Sequence, residues 1–87
     1  MFLYAFSFRS LTGAQTGRDV LVLSGIAAEL SRAPKSIAVQ GCGFVLEVSE
    51  GVGLMAAEAL QAHGVGYRRV FRLYEDGTVQ EADYDLF

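Results

Sequence analysis

Ile37-Ala38-Val39-Gln40-Gly41-Cys42-Gly43-Phe44-Val45-Leu46-Glu47-Val48, residues 37–48, joins two halves of the chain that carry the same pattern. Ile37 and Val39 mark a short strand and Gly41-Cys42-Gly43 a tight connection. Phe44, Leu46 and Val48 then form the inward face of the next strand, with Val45, Glu47 and Ser49 outward. This β-hairpin is flanked on either side by a helical stretch and a further alternating strand, which predicts the order βαββαβ.

On the N-terminal side Phe2, Tyr4, Phe6 and Phe8 alternate with Leu3, Ala5, Ser7 and Arg9, the period of a half-buried strand with an aromatic core face. Ser10 to Arg18, with Thr12, Gly13, Thr16 and Gly17, reads as a turn-rich loop. A helix starts near Asp19, with Val20, Leu23, Ala27 and Leu30 as its apolar stripe, and Pro34 ends it. On the C-terminal side Glu50-Gly51-Val52-Gly53 leads into a helix over Leu54 to His63, and Gly64 sits where a left-handed cap residue is favoured.

Tyr67 to Glu75 alternates again, with Phe71 and Leu73 on one face and Arg68, Val70, Arg72 and Tyr74 on the other. Asp76-Gly77 signals a two-residue hairpin. Closure there sets Arg72 opposite Glu81, Val70 opposite Asp83 and Arg68 opposite Asp85, so the basic strand and acidic tail neutralise one another. The whole is an α+β chain, βαββαββ, that resembles the ferredoxin-like sandwich, in which helices cover one face of an antiparallel sheet. That resemblance concerns topology and carries no function of its own.

A chain of 87 residues is a single domain, 1–87, with much of its surface wet, yet 52% of it is hydrophobic. The excess predicts burial against a second chain, a homodimer formed through Leu3, Ala5, Val45 and Val70 of an exposed sheet face and an edge strand from Ser36 to Gln40. Apolar runs fall short of the roughly 20 residues that span a bilayer. The first residues carry no secretory pattern, and Cys42 is a lone cysteine, so the expectation is a cytoplasmic protein without membrane contact. One Cys and one His supply no closed metal site, and no cofactor motif is present.

The net charge is −3, and it is unevenly placed: residues 1–74 hold all seven bases, whereas Glu75, Asp76, Glu81, Asp83 and Asp85 crowd the end. Glu81, Asp83 and Asp85 are therefore candidates for contact with a protein partner. Thr12, Gly13, Thr16, Gly17 and Arg18, with Gly51 and Gly53, are the candidates for a small anionic ligand. With the first and third strands adjacent and parallel, the two Gly-rich strand-to-helix loops meet at one end of the sheet, where backbone N–H groups hold an anion.

Neither loop has Gly-Lys followed by Ser or Thr, which excludes a Walker-type nucleotide site. The run Val39 to Phe44 is similar to part of the acylphosphatase signature. Val45 stands where that family has a catalytic Arg, and the chain has no Asn, so the implied catalytic groups are missing. Gly41, Gly43, Phe44 and Val45, with Leu3-Tyr4, resemble parts of an RNA-recognition motif, which implies aromatic residues on the open sheet face. A register that turns Phe44 outward also exposes Leu46 and Val48 and buries Glu47, and the acidic charge opposes a phosphate backbone, so nucleic acid is not an expected partner. His63 fits a helix C-terminus better than a general base.

With no catalytic constellation, the chain reads as a small non-catalytic binding or regulatory protein that acts through protein–protein contacts, an accessory subunit or inhibitor of a larger assembly. The alternative is a small-ligand sensor resembling ACT-type regulatory domains, which share the topology and bind near the first strand-to-helix loop.

Overall fold

The computed structural model describes residues 1–38, 41 and 43–82. Strand β1 (Phe2–Phe8) leads to helix α1 (Leu11–Leu23), strand β2 (Glu29–Arg32) and a single helical turn, α2 (Lys35–Ala38). Strand β3 (Phe44–Ser49) follows, then a 3-10 turn (Glu50–Val52), helix α3 (Gly53–Ala62) and strands β4 (Val70–Tyr74) and β5 (Val79–Glu81). The strands form one sheet in the order β2-β3-β1-β4-β5, every neighbouring pair antiparallel. The fold is therefore α+β. The expected parallel pairing of the first and third strands is corrected: β1 and β3 run in opposite directions, Phe8 facing Phe44 and Leu3 facing Ser49.

The aromatic face of β1 is as read, but the strand is not half-buried: Ala5 and Ser7 on its other face are as fully buried as Phe6. Tyr4, Phe6 and Phe8 enter a core with Leu46, Val48 and Val70 of the sheet and Ala14, Leu21, Ala56 and Leu60 of the two long helices. The segment expected as a loop from Ser10 to Arg18 is instead the first half of α1. Ser10 is its N-cap, its Oγ accepting the Gly13 N–H at 3.0 Å, and Gly13 and Gly17 are helical. A glycine inside a helix costs about 1 kcal/mol relative to alanine. Gly17 is kept by packing, because a Cβ there would lie 3.0 Å from both Leu46 and Phe8.

The same helix ends earlier than its apolar stripe suggests. Gly25 adopts φ +80°, its N–H donates to the Val22 carbonyl at 3.0 Å and the Ile26 N–H to the Leu21 carbonyl at 2.8 Å. This is a Schellman cap, after which Glu29–Arg32 form β2. The same motif closes α3 at Gly64, as expected, with Gly64 donating to Gln61 and Val65 to Leu60.

Ile37 and Val39 were expected in a strand, with a tight hairpin after them. Ile37 instead lies on α2, whose amides at Ile37 and Ala38 both donate to the Pro34 carbonyl. Val39, Gln40 and Cys42 lie outside the described residues. α2 places Ile37, fully buried, on the sheet face opposite the long helices, against Ala5, Val45 and Phe71. Both sheet faces thus carry a core. Ala5 and Val45 are buried under α2 and Val70 under the helices, so of the residues expected to form an exposed dimer face only Leu3 remains exposed. The edge strand expected from Ser36 to Gln40 is replaced by β2.

The β4–β5 hairpin differs from expectation by one residue. A two-residue turn of type I′ needs φ > 0 at both Asp76 and Gly77, but among the described residues only glycines have positive φ, and Gly77 stands at +88°. The turn therefore takes three residues, 75–77, with Gly77 as the bulge residue and Tyr74 paired to Thr78 through a 2.9 Å bond. Phe71, not Arg72, faces Glu81, and Arg72 faces Gln80. Asp83 and Asp85 lie outside the described residues.

Candidate functional site

The antiparallel pairing of β1 and β3 separates the two glycine-containing segments. The chain leaves β1 at Phe8 and leaves β3 at Ser49, five register steps apart along β1. At 3.3–3.4 Å per residue that is about 17 Å. The convergence that a shared anion site requires is therefore not present. Thr12, Gly13, Thr16, Gly17 and Arg18 all lie on α1, where the Thr16 hydroxyl donates to the Thr12 carbonyl at 3.0 Å and Ser10 already caps Gly13. Gly51 lies in the 3-10 turn facing open space, and Gly53 is backed against the Tyr4 ring, where a Cβ would clash. Gly13 takes part in the cap of α1, and Gly17 and Gly53 allow close packing.

Glu81 forms an ion pair with Arg69 at 2.9 Å, both side chains nearly half exposed. An exposed pair of this kind contributes on the order of 0–1 kcal/mol. His63 caps the C-terminus of α3, its Nδ1 2.9 Å from the Ala59 carbonyl oxygen. Phe44 sits on the helix-covered face, and Phe71, on the other face, is buried under Ile37. The stacking platform of an RNA-recognition motif is therefore not formed by these residues.

The open surface lies at the end of the second sheet face that α2 leaves bare. There the strand register lines up Ser49, Leu3, Leu73 and Val79 in one row across β3, β1, β4 and β5, with Leu3 exposed, Leu73 half-buried and Val79 half-buried against the Ile37 cluster. The adjacent row runs Glu29, Glu47, Ala5, Phe71, Glu81. Leu3, 40% exposed, is shared by two clefts. One, of about 240 Å³, is walled by Met1, Leu3, Leu73, Tyr74 and Glu75. The other, of about 280 Å³, is walled by Leu3, Ala27, Ala28, Glu29, Glu47 and Ser49. The surface is an apolar strip bordered by carboxylates. Leu3 is legible in the sequence as an exposed strand residue, whereas Glu29, Leu73 and Val79 join it only through the register.

Glu47 and Glu29 face one another directly across β2 and β3. Burial pushes the Glu47 carboxyl above its ordinary value, the charge of Glu29 adds to this, and a hydrogen bond with Ser31 opposes it. A raised folded-state pKa means that the folded protein holds this proton more tightly than the unfolded chain. The charged form therefore weakens the fold above the folded pKa, and the penalty fades as pH falls toward the unfolded value. Glu47→Gln is expected to stabilise the protein at pH 7 by about 0.2–1 kcal/mol, the range for facing like charges in a sheet. Urea unfolding at pH 7 and pH 4 checks this, with the gain shrinking at the lower pH.

Among the described residues no helix is long and apolar enough to cross a membrane. Comparison of the chain with protein-family models, with curated proteins and with solved structures gives no match.

Proposed function

We propose that this chain is a small non-catalytic binding domain that engages a protein partner through the open end of its second sheet face, as an accessory subunit or inhibitor of a larger assembly. The observation that carries this reading is the apolar row Leu3, Leu73, Val79, bordered by Glu29, Glu47 and Glu75 and opening into two clefts that share Leu3. Exposed apolar surface rimmed by polar groups is the usual mark of a contact site. Its acidic border selects a partner segment that presents apolar side chains between Lys or Arg. A cytoplasmic setting belongs to the same reading and rests on the single cysteine.

The fold is proposed to be a ferredoxin-like sandwich. In support, β1 and β2 bracket β3, β3 and β4 bracket β1, and the long helices link the two split pairs. β5 is then an addition at the β4 edge. The small-anion sensor loses its support, because its two loops are neither adjacent nor open.

Nuclear magnetic resonance titration with two synthetic peptides tests the partner reading, one alternating Val with Lys and the other Val with Glu. The basic peptide is expected to shift the resonances of Leu3, Glu47 and Leu73 saturably, and the acidic one to leave them unmoved. Leu3→Asp should abolish the response and Leu54→Asp on α3 should not. Equal response to both peptides, or none, sinks the proposal.

A further inference from the structure

We propose that the end of the sheet where β1 closes at Phe8 docks an extended acidic segment of a protein partner, held by Arg9, Arg32, Lys35, Arg68 and Arg69. This contact goes beyond the proposed partner surface and lies at the opposite end of the sheet from it.

A β-bulge builds the cluster. The Arg68 N–H donates to the Ser7 carbonyl at 2.8 Å and the Ser7 N–H to the Arg69 carbonyl at 2.9 Å, so two residues oppose one of β1. The Arg69 N–H, displaced from the ladder, donates to the Oγ of the fully buried Ser7 at 3.1 Å. The faces show the extra residue as well. Tyr67 lies against Phe6 on the helix-covered face, ring centroids 5.0 Å apart, whereas Arg69 pairs with Glu81 on the other face. A regular strand holds residues 67 and 69 on one face. The bulge thus brings two consecutive exposed arginines to the start of β4.

The register places the other bases at the same end. Arg32 faces Phe44, which faces Phe8; Arg9 follows Phe8, and Lys35 opens α2 just after β2. All are exposed. Among the described residues, the carboxylates of the sheet and its turns stop at the row of Ala5. Glu29, Glu47 and Glu81 lie in that row, and Glu50, Glu75 and Asp76 lie past Leu3. Of these, Glu81 reaches back to Arg69. Bases gathered around a single counter-charge repel one another, and an acidic segment laid across them relieves the repulsion. From β2 to β4 the cluster spans three strand spacings, about 14 Å, which an extended peptide covers in about five residues. The planar fork of arginine suits carboxylates, which it grips through two parallel bonds. A nucleic acid fits less well. Its bases need open aromatic rings, but Tyr67 is stacked on Phe6, Phe71 lies under Ile37 and Phe44 is on the helix-covered face. A phosphate chain longer than this end also meets the acidic half of a molecule whose net charge is −3.

Nuclear magnetic resonance titration of the unaltered chain with the peptide that alternates Val with Glu tests this contact. The backbone resonances of Arg9, Arg68 and Arg69 are expected to shift saturably while those of Leu3 and Leu73 stay in place, and added salt should weaken the response. The peptide that alternates Val with Lys should leave the three arginines unmoved. Arg9→Gln combined with Arg68→Gln is expected to weaken binding on the order of tenfold, whereas Arg18→Gln on α1 should leave it unchanged. Arginines that the acidic peptide does not move, an equal loss in Arg18→Gln, or an oligothymidylate that binds as tightly as the acidic peptide overturns the proposal. Shifts of the same resonances on raising the protein concentration alone would assign this end to a second copy and overturn it as well.

Discussion

Ile37→Ala is expected to destabilise the protein by about 2–5 kcal/mol, the range for truncating a fully buried aliphatic side chain. Ile37 is the one large side chain that the α2 turn sends into the second sheet face, where it closes over Ala5, Val45 and Phe71. Nothing else among the described residues of α2 is buried. Its loss opens a cavity, and with only four residues the turn has little means to collapse into it. Small domains hold a total of about 5–15 kcal/mol, so the variant is expected to show partial unfolding on modest warming. Lys35→Ala, on the exposed side of the same turn, should stay within about 0.5 kcal/mol of the unaltered chain. Denaturant unfolding of the pair measures both. An Ile37 variant as stable as the Lys35 variant would mean that the second face has no core.

Gly53→Ala is the second large effect, a loss of about 1–3 kcal/mol from overpacking. The added methyl would collide with the Tyr4 ring, which is held in the main core beside Ala56 and Ala57. Gly53 already has helical backbone angles, φ −58° and ψ −47°, so the gain of about 1 kcal/mol from helix propensity acts in the opposite direction and sets the lower end of the range. Shrinking the ring with Tyr4→Leu in the same chain should recover part of the loss, a coupling that a double-mutant cycle reads directly. Gly51→Ala, two residues earlier and facing open space, should be neutral or slightly stabilising. If Gly51 and Gly53 were equivalent members of a ligand loop, the two substitutions would leave the free protein equally stable. Thermal unfolding without any ligand separates these outcomes.

Much of the candidate surface was hidden for the same reason that these effects are large. Leu3 stands out in the sequence because it alternates with the aromatic face of β1. Its neighbours are set by pairing: Leu73 by the β1–β4 register, Val79 by the three-residue turn at Gly77, and Glu29 by the cap at Gly25 that ends α1 early. Each depends on a choice between two local conformations that the residues alone permit. Asp76-Gly77 suits a two-residue turn or a three-residue turn with a bulge, and one step between them changes every cross-strand partner.

Elements whose cues are local and mutually consistent are legible from the residues alone: the aromatic alternation of β1, the inward face Phe44, Leu46, Val48 of β3, the Ala- and Leu-rich α3 and its cap at Gly64. Elsewhere packing and pairing override the local cues. Gly13 and Gly17 have turn-forming propensity, yet both are helical: Ser10 caps the helix at Gly13, and Gly17 lets α1 close onto Phe8 and Leu46, where a Cβ would lie 3.0 Å from both. Leu30 continues an apolar helical period, yet it lies in β2, paired with Leu46 of β3. Ile37 has the β-branched side chain of a strand residue, yet it caps a sheet face from a helical turn. For Ile37 the local preference is worth about 1 kcal/mol, and burial of its side chain, at about 1.5–3 kcal/mol, outweighs it.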